Sequence, residues 1–100
     1  MPYSCDVPTA VEEDFLLYGP ETRMAIGDFL LALQDNPHLK GAEEFAAGKF
    51  YVQLKNKLFI AWCFPDGELD QKGIGRRYAR ILILGIGHSP AAAQGGRYSR

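Results

Sequence analysis

Two cysteines in 100 residues, Cys5 and Cys63, are too few for a disulfide framework. No Cys/His group has the spacing of a zinc site, so no metal is expected. Long apolar runs are also missing. Residues 59–64 and 81–86 are strand-sized, well short of the roughly 20 residues that a membrane-spanning helix needs. The first residues lack the basic and apolar regions of a secretory signal. Together these absences point to the cytoplasm and away from a membrane. Phosphate loops are absent too, because Gly73, Gly75, Gly85 and Gly87 form no GxGxxG that opens a helix. What remains is ordinary globular composition, 47% hydrophobic and 23% charged. The length suits one compact domain with a core of its own.

The net charge of -1 hides an asymmetry. Residues 1–48 carry nine acids against Arg23 and Lys40, a balance of -7; residues 49–100 carry three acids against nine lysines and arginines, a balance of +6. Such a division predicts one acidic and one basic surface, the latter a footprint for a polyanion such as nucleic acid. Charge balancing between neighbouring elements accounts for it equally well.

Periodicity divides the chain at the same place. A short strand is expected at residues 3–7, stopped by Pro8. Thr9-Ala10-Val11-Glu12 has the form of a capping box and predicts a helix over 9–18. Gly19-Pro20 breaks it, and Pro20 suits the first turn of a second helix. Ile26, Phe29, Leu30 and Leu33 fall on one stripe, flanked by Met24 and Leu31, which predicts a helix over 20–36 ended by Asn36-Pro37. Residues 42–47 suit one more helical turn. Beyond Gly48 the period becomes two. Phe50, Val52 and Leu54 share one face of a strand over 49–54; Leu58, Ile60 and Trp62 share one face of a strand over 58–64. Lys55-Asn56-Lys57 joins them in a hairpin. A third strand, 78–87, is apolar enough to be covered on both faces. Residues 90–100 are small, polar and glycine-rich, and predict a flexible C-terminal tail after a single domain over 1–89. The sum is α+β: a short N-terminal strand and a helical hairpin packed on a small, mostly antiparallel sheet with a C-terminal three-stranded meander.

This order, with the stretches MPYSCDVPTAVEEDFLLYG, LLALQDNPHLKG, KFYVQLKNKLFIAWCF and RILILGIGHSP, resembles the RelE/ParE superfamily of toxins from type II toxin–antitoxin systems. The likeness spans residues 2–89. It implies a metal-independent mRNA endoribonuclease with no cofactor, and leaves open whether messages are met free or at the ribosome. The implied partner is an antitoxin that wraps the domain. The ParE-like branch instead acts on DNA gyrase, so a non-catalytic protein-binding module is the alternative reading. Three departures stand out. Members usually carry an arginine early in the middle strand, where this chain has Leu58-Phe59; they are commonly basic overall; and residues 65–75 make a longer connection than is usual.

Strand direction places the candidate residues. In an antiparallel meander the 55–57 turn lies at the end of the sheet where the last strand finishes, so Lys55, Lys57 and His88 share one rim. Cleaving RNA without a metal needs a base for the 2′-hydroxyl, cations for the charge on the phosphorane and an acid for the 5′-oxygen. Histidine suits either proton role, and lysine the electrostatic one. His88, Lys57 and Lys55 are therefore the catalytic candidates. Tyr51, beside Lys49 on the polar side of its strand, has two roles open to it, base stacking or cross-strand packing. Arg76, Arg77 and Arg80 form a second basic patch at the start of the last strand, and RNA contact or simple solvation suits them equally. His38, beside the helix-ending proline, is read as solvated, and Trp62 as core.

Overall fold

Proline and glycine punctuate the helical layer. In the computed structural model, which describes residues 3–36, 41–65 and 80–94, β1 (Ser4–Asp6) leads into α1 (Thr9–Phe15) through Pro8. Pro8 is the N-cap: its extended backbone (φ -59°, ψ 149°) turns its carbonyl to accept the Glu12 N–H at 2.9 Å. Thr9 already lies in the first turn, and no side chain caps the helix, so the capping box expected at Thr9 and Glu12 is not formed. The helix also stops earlier than expected. Leu16, Leu17 and Tyr18 continue only as a tighter turn, their N–H groups donating to carbonyls three residues back. After Gly19, α2 (Pro20–Asp35) starts with Pro20 in its first turn and buries Ile26, Phe29 and Leu33.

Residues 42–47 overturn their expected helical turn. They contain β2 (Glu43–Ala46), paired antiparallel to β3 (Lys49–Leu54). The Ala47-Gly48 link needs a left-handed residue, and Gly48 supplies it at φ +72°. The Glu44 carboxylate then accepts the Gly48 N–H at 2.9 Å. Phe45 packs on Tyr51 with ring centroids 5.9 Å apart, a cross-strand contact that outweighs the helical propensity of Glu and Ala. β4 (Leu58–Cys63) and β5 (Arg80–Gly87) complete a five-stranded sheet of order β1-β5-β4-β3-β2. β1 is parallel to β5 and the other pairs are antiparallel. The meander is therefore one strand longer than expected.

The core lies between the sheet and the helices α1 and α2. Trp62 is fully buried, 5.7 Å from Phe29 on α2 and stacked at 6.0 Å on Phe50. Tyr3 and Phe64 close one side at 5.7 Å. One irregularity decides how β5 fits. Trp62 pairs with Ile83 but Ala61 pairs with Gly85, so Leu84 is an extra residue, a bulge that shifts the strand's alternation. As a result Ile81 and Ile83 before it, and Ile86 after it, all bury on the helical side.

Gly85 and Gly87 consequently face the other side, against α3 (Pro90–Ala93). This helix replaces the flexible tail expected from residue 90. The Ser89 hydroxyl caps it by accepting the Ala92 N–H at 3.2 Å, Pro90 fills its first turn, and Ala93 is fully buried. Residues 95–100, the rest of that expected tail, lie outside the described residues. Among the described residues no helix is long and apolar enough to cross a membrane.

The seat of α3 depends on missing side chains. A Cβ at Gly85 falls 2.7 Å from the Ala93 carbonyl oxygen, a backbone atom that cannot swing away. Gly85→Ala is expected to cost about 1–3 kcal/mol in urea unfolding. Gly27→Ala, in mid-helix with nothing within 4 Å of the new Cβ, is expected to stabilise by about 0.5–1 kcal/mol. Equal effects at the two positions would refute this account of the packing.

Candidate functional site

The β3–β4 link is a three-residue turn, Lys55–Lys57, between the paired residues Leu54 and Leu58. The Leu58 N–H donates to the Lys55 carbonyl, and Lys57 takes the left-handed conformation at φ +57°. Three-residue hairpin loops need a left-handed third residue, a position that glycine or asparagine fills with less strain. Here a lysine occupies it, and both Lys55 and Lys57 are exposed.

The β4–β5 register brings the third group to this rim. Phe59 pairs with Gly87, so one further step sets His88 beside Leu58, the residue after Lys57. His88 is exposed and turns toward the helical layer, where Tyr18 meets it edge-on with ring centroids 5.8 Å apart. Beside the rim, a cleft of about 460 Å³ opens between α2 and the hairpin. Leu54, Leu58 and Met24 line it, together with Lys55, Glu21 and Asp28.

The other sequence candidates lie elsewhere. Tyr51 and Lys49 alternate with the core-packed Phe50 and Val52, so they face away from α1 and α2, on the opposite side of the sheet from His88. Tyr51 is part of a row of rings, 5.9 Å from Phe45 and 6.2 Å from Phe59. Its hydroxyl donates to Glu43 at 2.6 Å. That bond to a carboxylate, with some burial and the charge of Glu43, raises the phenol's pKa above its usual value. Lys49 pairs in register with Cys63 at the far end of β3 from the turn.

Arg80 opens β5, and the eight-residue strand spans roughly 26 Å at 3.3 Å per residue, so His88 lies at the other end. Its guanidinium pairs with Asp6 of β1 at 3.1 Å. Arg76, Arg77 and His38 lie outside the described residues. Neither thiol is activated. Burial, with the neighbouring Asp6, pushes Cys5 up to about 11, and burial raises Cys63 against a partly opposing Lys49.

The structure therefore brings Lys55, Lys57 and His88 together and leaves Tyr51, Lys49 and Arg80 apart from them. Tyr18 is the residue that the sequence argument missed. Its position just before Gly19-Pro20, where a side chain is fixed at a chain reversal, was the available signal. Of the aromatic neighbours of Tyr51, Phe45 depended on recognising β2, whereas Phe59 lies on the partner strand of the expected hairpin.

No protein-family model matches the sequence, and no curated protein matches it either. Solved structures do. A doubly substituted E. coli toxin RelE in its free state superposes with a TM-score of 0.66 at 10% identity, covering 100% of both chains. The same toxin bound to a peptide of the antitoxin RelB gives 0.64 at 10% identity, covering 100% of this chain and 97% of that one. The RelBE2 toxin–antitoxin complex of Mycobacterium tuberculosis gives 0.63 at 18% identity over 89% of this chain and 100% of that one. The chain has the RelE toxin fold, in agreement with the α+β class and the resemblance read from its sequence.

The Tyr51–Glu43 bond generates a titration test. A negative carboxylate that accepts from the phenol opposes its ionisation. The Tyr51 ring carbon signals in NMR are expected to titrate above the normal tyrosine range, and Glu43→Gln is expected to bring them down. An unchanged midpoint in the variant would contradict the bond.

Proposed function

We propose that this chain is the toxin of a type II toxin–antitoxin pair and a metal-independent mRNA endoribonuclease acting in the cytoplasm. The observation that carries this reading is the rim at one end of a RelE-type sheet, with an exposed imidazole beside two exposed ammonium groups. In the reaction a base removes the 2′-hydroxyl proton and the 2′-oxygen attacks phosphorus. The 5′-oxygen then leaves with a proton, giving a cyclic phosphate and a free 5′-hydroxyl. His88 serves one of the two proton transfers. Lys57 and Lys55 stabilise the charge that builds on the non-bridging oxygens. The RNA approaches over the hairpin turn, with Lys49 and the Tyr51 ring row holding the flanking strand on the far face.

The partner is an antitoxin segment, a reading supported by the RelB peptide bound to E. coli RelE and by the M. tuberculosis complex. Met24 and Leu31, 70% and 59% exposed on α2, supply apolar surface for a protein partner. The second reading is a non-catalytic module that binds a protein such as DNA gyrase. It is favoured by the start of β4, where Leu58 and Phe59 stand in place of an arginine, and by Arg80, which is committed to Asp6.

Expression without an antitoxin decides between them. The ribonuclease is expected to arrest growth and cut translated messages, and His88→Ala is expected to slow cleavage by about 10²–10⁴-fold. Lys57→Gly removes the charge while suiting the left-handed backbone, so it is expected to lose cleavage and keep the fold. Arrest that persists with folded His88→Ala and intact messages would transfer the case to the protein-binding reading.

A further inference from the structure

An exposed histidine at a strand end has several rotamers open to it, and only some aim a ring nitrogen at a substrate. Among the described residues no hydrogen bond or ion pair holds the nitrogens of His88, and its ring meets that of Tyr18. The two rings meet edge to face, at 5.8 Å and an interplanar angle of 64°, a geometry that aromatic pairs favour. Tyr18 is itself fixed. It is half-buried against the core, its N–H donates to the Phe15 carbonyl at 3.3 Å, and Gly19-Pro20 reverses the chain immediately after it. Across the rim, the Leu84 bulge fixes the face that His88 presents to it.

We propose that Tyr18 is a positioning residue: its ring holds the His88 imidazole in one orientation and leaves both nitrogens open to RNA. The inference rests on the ribonuclease reading above. The ring, not the hydroxyl, does this work. Burial and the nearby Asp14 raise the pKa of the Tyr18 phenol above its usual value, so the ring stays uncharged at neutral pH. Phenylalanine is therefore expected to replace Tyr18, whereas leucine keeps apolar volume and loses the aromatic contact.

Two measurements on the full chain test this. In NMR spectra, with His88 signals assigned by their loss in His88→Ala, Tyr18→Leu is expected to shift both carbon-bound protons of the His88 ring. Tyr18→Phe is expected to leave them near their wild-type positions. In cleavage of a single-stranded RNA, Tyr18→Leu is expected to lower kcat by roughly three- to tenfold, as additional rotamers become populated, with KM unchanged and Phe restoring the rate. Circular dichroism and Trp62 fluorescence confirm that each variant is folded. Unmoved His88 signals in folded Tyr18→Leu would overturn the proposal. So would a wild-type kcat in Tyr18→Leu when His88→Ala is inactive. Should folded His88→Ala cleave as fast as wild type, that result alone removes His88 from the reaction. The catalytic purpose of the contact then falls with it, even where the NMR signals move.

Discussion

The bulge at Leu84 is the constraint on which the arrangement of this molecule depends. A regular β5 alternates without interruption, so Ile86 would share a face with Leu84 and Leu82, opposite Ile81 and Ile83. The extra residue lets all three isoleucines bury on the helical side and turns Gly85 and Gly87 to the other. Their missing side chains admit α3 to near backbone contact with the sheet. The same shift sends His88 toward the helices, where the α1–α2 turn meets it. One inserted residue thus sets the core, the second layer and the aim of the candidate catalytic group.

The aromatic cluster around Trp62 supplies the rigidity this arrangement needs. Burying a tryptophan between Phe29 and Phe50 joins α2, β3 and β4, the elements that carry the hairpin turn and the cleft beside it. Trp62 Nε1 has no hydrogen-bond partner among the described residues, which subtracts from that gain. Packing outweighs polar satisfaction at this position. The rim itself consists of exposed side chains on short turns, so its precision comes from the elements behind it.

Most of the fold was legible because periodicity follows burial. The stripe of Ile26, Phe29 and Leu33 and the alternation of 49–54 and 58–63 correspond to the observed α2, β3 and β4. β2 was not legible: Glu-Glu-Phe-Ala-Ala favours a helix locally, and only Tyr51 on the next strand makes Phe45 a strand residue. The capping box failed because the Pro8 backbone does what the Thr9 side chain was expected to do. α3 had its own signal, Ser-Pro before a run of alanines, but an apolar face for it exists only once Gly85 and Gly87 are known to leave room. For the site, strand direction was enough to join His88 to Lys55 and Lys57. It could not show that the Leu84 bulge turns His88 to the face opposite Tyr51, or that Arg80 is paired with an acid 74 residues away. Those facts depend on register and parallel pairing, which composition and spacing do not encode.

The central claim is that the end of the sheet holding Lys55, Lys57 and His88 engages RNA. Amide and side-chain NMR shifts, followed while single-stranded RNA is added at low and then moderate salt, test it most directly. The account predicts shifts concentrated at residues 55–58 and 88, extending to Tyr51 and Lys49, and weakening as salt rises because phosphate contacts release counterions. Shifts confined to Arg80 and β1, or none at low salt, would contradict it.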